Sequence, residues 1–318
     1  MQKFLGYFLV FFLLSCKKEK LNAVDVSDVK IEFKLMRFDR EFYRPDKKLS
    51  QLKRQFPFLF PKEIPDSVWQ NKRSDKYELE LFSETQKLYK STANLKAELS
   101  NLFKHIKHYK ATFKSPMVIT LLTNIDYDNR VIYADSLLFI SLDAYLGSKH
   151  KFYDDYPNYI KQNSRSEHIK VDVALQIINQ QVVAKNNRTF IDKIICEGKK
   201  MYLLDKYLPE VSDSEKMGYS IEKNQWILDH EEFIWRYFVE KELLFSTANS
   251  LDRRFLDLAP FSKFYTDYDN LSPGRVGVWI GWQIVRSYMK NNNVSLHKLL
   301  SADQEEVYKK SKYRPKKL

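Results

Sequence analysis

The amino-acid sequence predicts an α+β fold, mostly helical, with a small antiparallel or mixed sheet in the N-terminal half. Three observations point there. "VKIEFKL" (29–35) alternates apolar and polar residues, and "MVITLLTNI" and "RVIYADSLLFISLDAYL" are strand-like runs joined by the turn-forming "DYDN". From residue 166 onward, apolar residues recur at helical spacing. No linker-like stretch separates two cores, and 44% apolar content over 318 residues is enough for a sizeable interior.

Near its start the chain carries Lys3 and then an apolar run of 11 residues, Phe4 to Leu14. At about 1.5 Å per helical residue this is well short of the roughly 20 residues that span a bilayer. It has the length of a signal-peptide core and lacks the polar face of a buried surface helix. Leu13-Leu14-Ser15-Cys16 then resembles the lipobox of bacterial lipoproteins. That resemblance implies cleavage before Cys16 and lipidation of its thiol, leaving residues 1–15 as a signal, 16–28 as a polar tether and 29–318 as a single domain. Acyl chains contribute about 0.8 kcal/mol per buried methylene, so the anchor would be durable. Lys17, Lys18 and Lys20 would then sit at the lipid headgroups.

Along the body, "KKLSQLKRQFPFLF" is helical until Pro57 and Pro61 close it off. Residues 75–110 form two helices, or one broken near "KSTAN", with Leu79, Phe82, Leu88, Leu95, Leu99, Leu102 and Ile106 at helical spacing. Further helices are expected near 166–184, 189–207, 221–245 and 274–291, with a short one after Ser301.

The formal charge of +12 favours anionic neighbours. In an envelope location nucleic acid drops out, leaving lipid headgroups and acidic glycans. Cys196, in "IDKIICEGKK", reads as a small buried hydrophobe, and with Cys16 lipidated no internal disulfide can form. Several chemistries lack their motifs. There is no Gly-x-Ser-x-Gly elbow, no Walker loop and no Gly-x-Gly-x-x-Gly. "HEEFI" (230–234) starts a zinc motif but places Ile234 where the second His belongs; His105 and His108 read as a solvated face. No metal or other cofactor is expected.

"LSPGRVGVWIGWQIVRSYM" (271–289) holds three of the seven glycines, with Ser272 and Pro273 placed to begin a helix. Gly277 and Gly281 share one helical face. Each costs about 1 kcal/mol against Ala, which close approach of another backbone would offset. Trp279 and Trp282 read as core or interface residues, or as the wall of a glycan groove. The basic end "KKSKYRPKKL" reads as a solvated tail.

Several stretches together are similar to the GldB family of gliding motility lipoproteins: "RFDREFY", "ISLDAYLGSKHKFY", "PNYI", "PGRVGVWIGWQIVRSYMKNNNVSL" and "SKYRPKK". The resemblance implies a lipoprotein required for gliding, anchored to the bacterial cell envelope and facing the periplasm. It would be a non-catalytic component of the gliding and associated secretion machinery, with other proteins of that machinery as partners. A fainter resemblance joins the fold to zinc-dependent peptidases. "CEGKKMYLL" supplies their Glu-Gly pair as Glu197 and Gly198, and "GVWIGWQIV" their glycine-aromatic segment. The helix that should carry the zinc motif, "EHIKVDVALQIINQQV", offers only Asp172 and Gln176 one turn apart. It implies a zincin-like arrangement whose metal site has gone, with Asp172, Gln176, Glu197 and Gly198 as the remains of a cleft. A metallopeptidase with unorthodox ligands and an envelope glycan-binding module stay open as alternatives.

Overall fold

A computed structural model describes residues 24–134, 136–183 and 186–316. The signal, Cys16 and most of the tether lie outside them. In chain order, strand β1 (Leu35–Arg37) runs into helix α1 (Phe38–Tyr43), followed by α2 (Leu49–Gln55), α3 (Asp66–Ser74), α4 (Lys76–Leu88) and α5 (Ala93–Tyr109). Strands β2 (Met117–Leu121), β3 (Val131–Ala134) and β4 (Leu137–Ser141) complete a sheet of order β1-β2-β4-β3. The sheet is mixed: β1 and β4 flank β2 in parallel, and only β3–β4 is antiparallel.

This differs from the turn expected at "DYDN". That segment separates β2 from β3, which are not neighbours; the hairpin instead lies inside the second apolar run, between Ala134 and Leu137. β2 is central, and Val118, Ile119 and Thr120 are all buried, the pattern of a strand covered on both faces. The alternation in "VKIEFKL" packs Ile31, Phe33 and Leu35 against the core, yet pairing begins only at Lys34, whose carbonyl accepts from Val118 N. Most of that run is therefore extended without being a strand.

The second half is helical: α6 (Asn158–Lys161), α7 (Ile169–Asn179), α8 (Phe190–Tyr207), α9 (Asp213–Met217), α10 (Ile221–Asp229), α11 (Glu231–Glu240), α12 (Ser250–Phe255), α13 (Val276–Asn291), α14 (Leu296–Ser301) and α15 (Gln304–Ser311). The expected helix over 221–245 is two. His230 breaks it, its ring stacked on Trp226 at 4.2 Å and its Nδ1 2.8 Å from the Trp226 carbonyl. One hydrophobic cluster runs from Phe38 on α1 to Val307 on α15.

At its centre α8 crosses α13. The capping box of Thr189 and Asp192 starts α8, and most of its length is buried. The two helices meet backbone to backbone: a Cβ added at Gly281 would stand 1.7 Å from the Ile194 carbonyl oxygen, and one at Gly198 2.2 Å from that of Gly281. Gly277 faces the Phe255 carbonyl at 3.0 Å by the same measure. The crossing also buries a neutral ion cluster. Asp205 of α8, with no exposed side-chain surface, accepts from Trp282 Nε1 at 2.9 Å, from Arg286 Nε and Nη2 at 2.8 Å, and from Lys216 Nζ at 2.8 Å. Arg286 also takes Asp213 through both Nη atoms, so two cations balance two carboxylates.

The basic end up to Lys316 is docked, not a free tail. Tyr313 Oη and Lys316 N both donate to Glu231 Oε1, at 3.0 and 3.2 Å, while Trp279 Nε1 donates to Glu231 Oε2 at 3.2 Å. The aromatic residue inside the run explains it: Tyr313 packs edge-on against Trp235 at 5.2 Å. His105 and His108 also part company. His105 lies with Leu102 and Ile106 on the buried stripe of α5, where burial holds its imidazole below the ordinary value, and His108 is exposed.

Gly281→Ala should lower stability by about 2 kcal/mol or more, because the methyl meets backbone that cannot yield. A urea midpoint equal to that of the native protein would show that the α8–α13 contact is looser than the structure gives.

Candidate functional site

The N-terminal turn of α7 meets the end of the sheet. Arg130, just before β3, reaches Asp172 on α7: its Nη2 donates to Oδ1 and its Nε to Oδ2, both at 2.8 Å. Tyr145, which follows β4 and a short 3-10 turn, donates to the same Oδ2 at 2.6 Å. Both oxygens of Asp172 are thus held by the chain's own donors, and its side chain is 12% exposed. The guanidinium also lies over the rings of Tyr127 at 4.1 Å and Tyr145 at 5.5 Å. Burial, with the Asp172 charge beside it, pushes the Tyr145 phenol well above its ordinary value, so it remains a donor.

One turn before Asp172 stands His168. Its Nε2 is 3.6 Å from Asp172 Oδ1, and its Nδ1 is 2.7 Å from Glu215 Oε1 on α9. Arg165 pairs with the other oxygen of Glu215. Burial pushes Glu215 up, but the His168 and Arg165 contacts outweigh it and hold the carboxyl down at about 2. Two linked clusters, Arg130–Asp172–Tyr145 and His168–Glu215–Arg165, therefore pin the start of α7 to β3 on one side and α9 on the other.

The other residues marked in the sequence are placed differently. Gln176, one turn beyond Asp172, is half-buried and gives no hydrogen bond to either cluster. Glu197 turns to Lys200 on its own helix at 2.7 Å, and Gly198 is closed under α13. Asp172 and Glu197 so hold different cations and do not converge on one centre. Among the described residues no group of three His, Cys, Asp or Glu side chains is arranged to hold a metal ion. Trp279 and Trp282 are both buried, with indole N–H groups committed to Glu231 and Asp205. A glycan platform would need those rings exposed. Cys196 is buried, and burial pushes its thiol above the ordinary value.

Sequence reasoning passed over His168, although its spacing of four from Asp172 is legible on a helix. Arg130 and Tyr145 lie 42 and 27 residues from Asp172, and no local pattern joins them.

Beside these clusters lies a cleft of about 520 Å³, lined by residues from segments 157–162, 217–223, 258–260 and 273–275. Gly218 ends α9 in the left-handed region, φ +68°, and its carbonyl accepts from Gln162 Nε2. Tyr219 Oη donates to the Gly274 carbonyl at 2.6 Å. α13 begins three residues after the expected start at Pro273. Its N-cap is Arg275, at φ 61° and ψ 29°, and Ser272 Oγ bonds instead with Asp269 and Ser262.

A model of the gliding motility protein GldB matches residues 19–315. The chain belongs to the GldB family. Both clusters, the helix crossing and the cleft all fall inside the matched span. No curated protein and no solved structure matches the chain. Among the described residues no helix is long and apolar enough to cross a membrane.

Asp172→Ala should cost about 3–5 kcal/mol, since it leaves the Arg130 guanidinium buried and unpaired. Adding Arg130→Met should recover part of that loss in urea unfolding; no recovery would mean the pair is not coupled. Glu215, lowered from 4.5 to about 2, contributes stability that is present above pH 4.5 and is lost as pH falls towards 2. The gap between native protein and Glu215→Gln should accordingly shrink by on the order of 3 kcal/mol between pH 6 and pH 2. A gap independent of pH would contradict the pairing.

Proposed function

We propose that the protein is a lipid-anchored, periplasm-facing component of the gliding machinery and its associated secretion system, acting by binding and not by catalysis. Residues 1–15 would direct export, Cys16 would carry the acyl chains, 16–28 would form the tether, and 29–318 would form one binding body. Membership of the GldB family supports the role in gliding.

The observation that carries the non-catalytic half is the closure of Asp172. In the peptidase-like reading this helix would present a metal ligand and a general base to a cleft. Here a guanidinium and a phenol occupy both carboxylate oxygens, the neighbouring His168 is turned to Glu215, and Glu197 is turned to Lys200. An arginine is permanently charged and cannot exchange for a metal without leaving its own charge buried. Such a centre would hold elements together and would not turn over a substrate.

Anchoring is tested by Cys16→Ala. The variant should leave the membrane fraction and appear in the soluble fraction, with gliding lost. Retention on membranes through a high-salt wash would refute the lipid anchor.

A further inference from the structure

The cleft beside α13 has a chemistry that the proposed scaffold role does not use. Among the described residues none that lines it is acidic, and two of the lining residues, Lys223 and Arg275, are cations. Lys223 is committed: its Nζ donates to the carbonyls of Asn270, Leu271 and Ser272 at 2.6, 3.2 and 2.7 Å. Tyr219 and Gln162 are committed as well, to the carbonyls of Gly274 and Gly218. Arg275 is not. Among the described residues, the other half-buried or buried arginines, such as Arg130, Arg165 and Arg286, each have a carboxylate or carbonyl partner, whereas the Arg275 guanidinium has neither hydrogen bond nor ion pair; only its backbone carbonyl is used, accepting from Trp279 N. Its charge is felt by Tyr219 in the cleft and by Tyr127, the ring over which Arg130 lies.

Two further observations limit the ligand. Arg275 sits in the left-handed region, where a side chain is disfavoured and glycine is the natural occupant. Gly274 beside it is packed so that a Cβ would stand 2.2 Å from the Ala259 carbonyl, which fixes the wall from which the arginine projects. An unpartnered cation held in a disfavoured conformation on a rigid wall suits planar, bidentate recognition of a carboxylate. The lining is apolar as well as basic: Pro157, Met217, Leu258, Pro260 and Pro273 contribute to it, and Leu258 is 44% exposed. Apolar side chains around a cation fit a polypeptide better than a small hydrophilic solute. The volume of about 520 Å³ is within the range of roughly 300–1,000 Å³ seen for specific pockets.

We propose that this cleft binds a peptide segment of a partner protein, with Arg275 gripping a carboxylate that is either the partner's chain end or an acidic side chain. The proposal rests on the binding role above but is read on purified protein. Anchoring can therefore fail in cells while the cleft still binds, and the reverse.

The test is a synthetic array of random heptapeptides, half with free carboxyl termini and half amidated, probed with the full chain purified in detergent. Retained peptides should carry a free terminus or an internal Asp or Glu. Retention confined to the free-carboxyl half identifies a chain end, and retention of acidic peptides in the amidated half identifies a side chain. Arg275→Gly removes the cation and relieves the backbone, so its unfolding midpoint should equal or exceed that of the native protein. Retained peptides should bind this variant at least tenfold more weakly. The proposal is overturned by an array with no retained peptide, by retained peptides that lack a carboxylate, or by undiminished binding to Arg275→Gly.

Discussion

The direct contact between α8 and α13 is the constraint on which the rest of the molecule depends. Two helices can approach until backbone touches backbone only where no side chain stands in the contact, and Gly198 and Gly281 provide that at one crossing. The approach brings Trp282 and Arg286 within hydrogen-bond reach of Asp205, and so fixes a neutral buried ion cluster that draws in α9 through Lys216 and Asp213. α13 then acts as an axle. Its N-cap is Arg275 at the cleft, its first turn places Trp279 on Glu231, and its C-terminal end receives Ser311 through Ser287 and Asn291. The chain's end is thereby folded back onto the core.

A second set of charges works on the other side of α9. Glu215 holds His168 and Arg165, while Asp172 holds Arg130 and Tyr145. Each is a nearly closed arrangement of opposite charges in a region of low dielectric, where an unpaired group would be costly. One buried donor, Arg130 Nη1, is left without a partner. Among the described residues nothing comparable is closed around the Arg275 side chain. The contrast between committed and uncommitted arginines separates the closed clusters from the cleft that we propose as a binding surface.

Helix positions in the second half were largely legible in the sequence, because a stripe of apolar residues at helical spacing is a local property. The glycine-tryptophan block was legible for the same reason: two glycines on one helical face carry a cost that only a close neighbour offsets. The sheet order was not. "DYDN" has turn chemistry whether or not the strands it joins are neighbours, and the strand that separates them is decided by burial of β2 on both faces. The break at His230 was hidden because "WILDHEEFIWRYF" keeps its amphipathic period through the kink. The clusters at Asp172 and Asp205 join residues up to 81 apart, and no spacing rule reaches that far. The basic terminal run misled because charge suggested solvent while Tyr313 supplied the contact with Trp235 and Glu231.

Binding without catalysis is most directly tested by the metal content of the full-length protein purified without chelator. With Asp172 closed by Arg130 and Glu197 turned to Lys200, zinc should be well below one atom per chain and unchanged in Glu197→Ala. One zinc per chain, lost in both Asp172→Asn and Glu197→Ala, would contradict that closure and restore a metal-dependent enzyme.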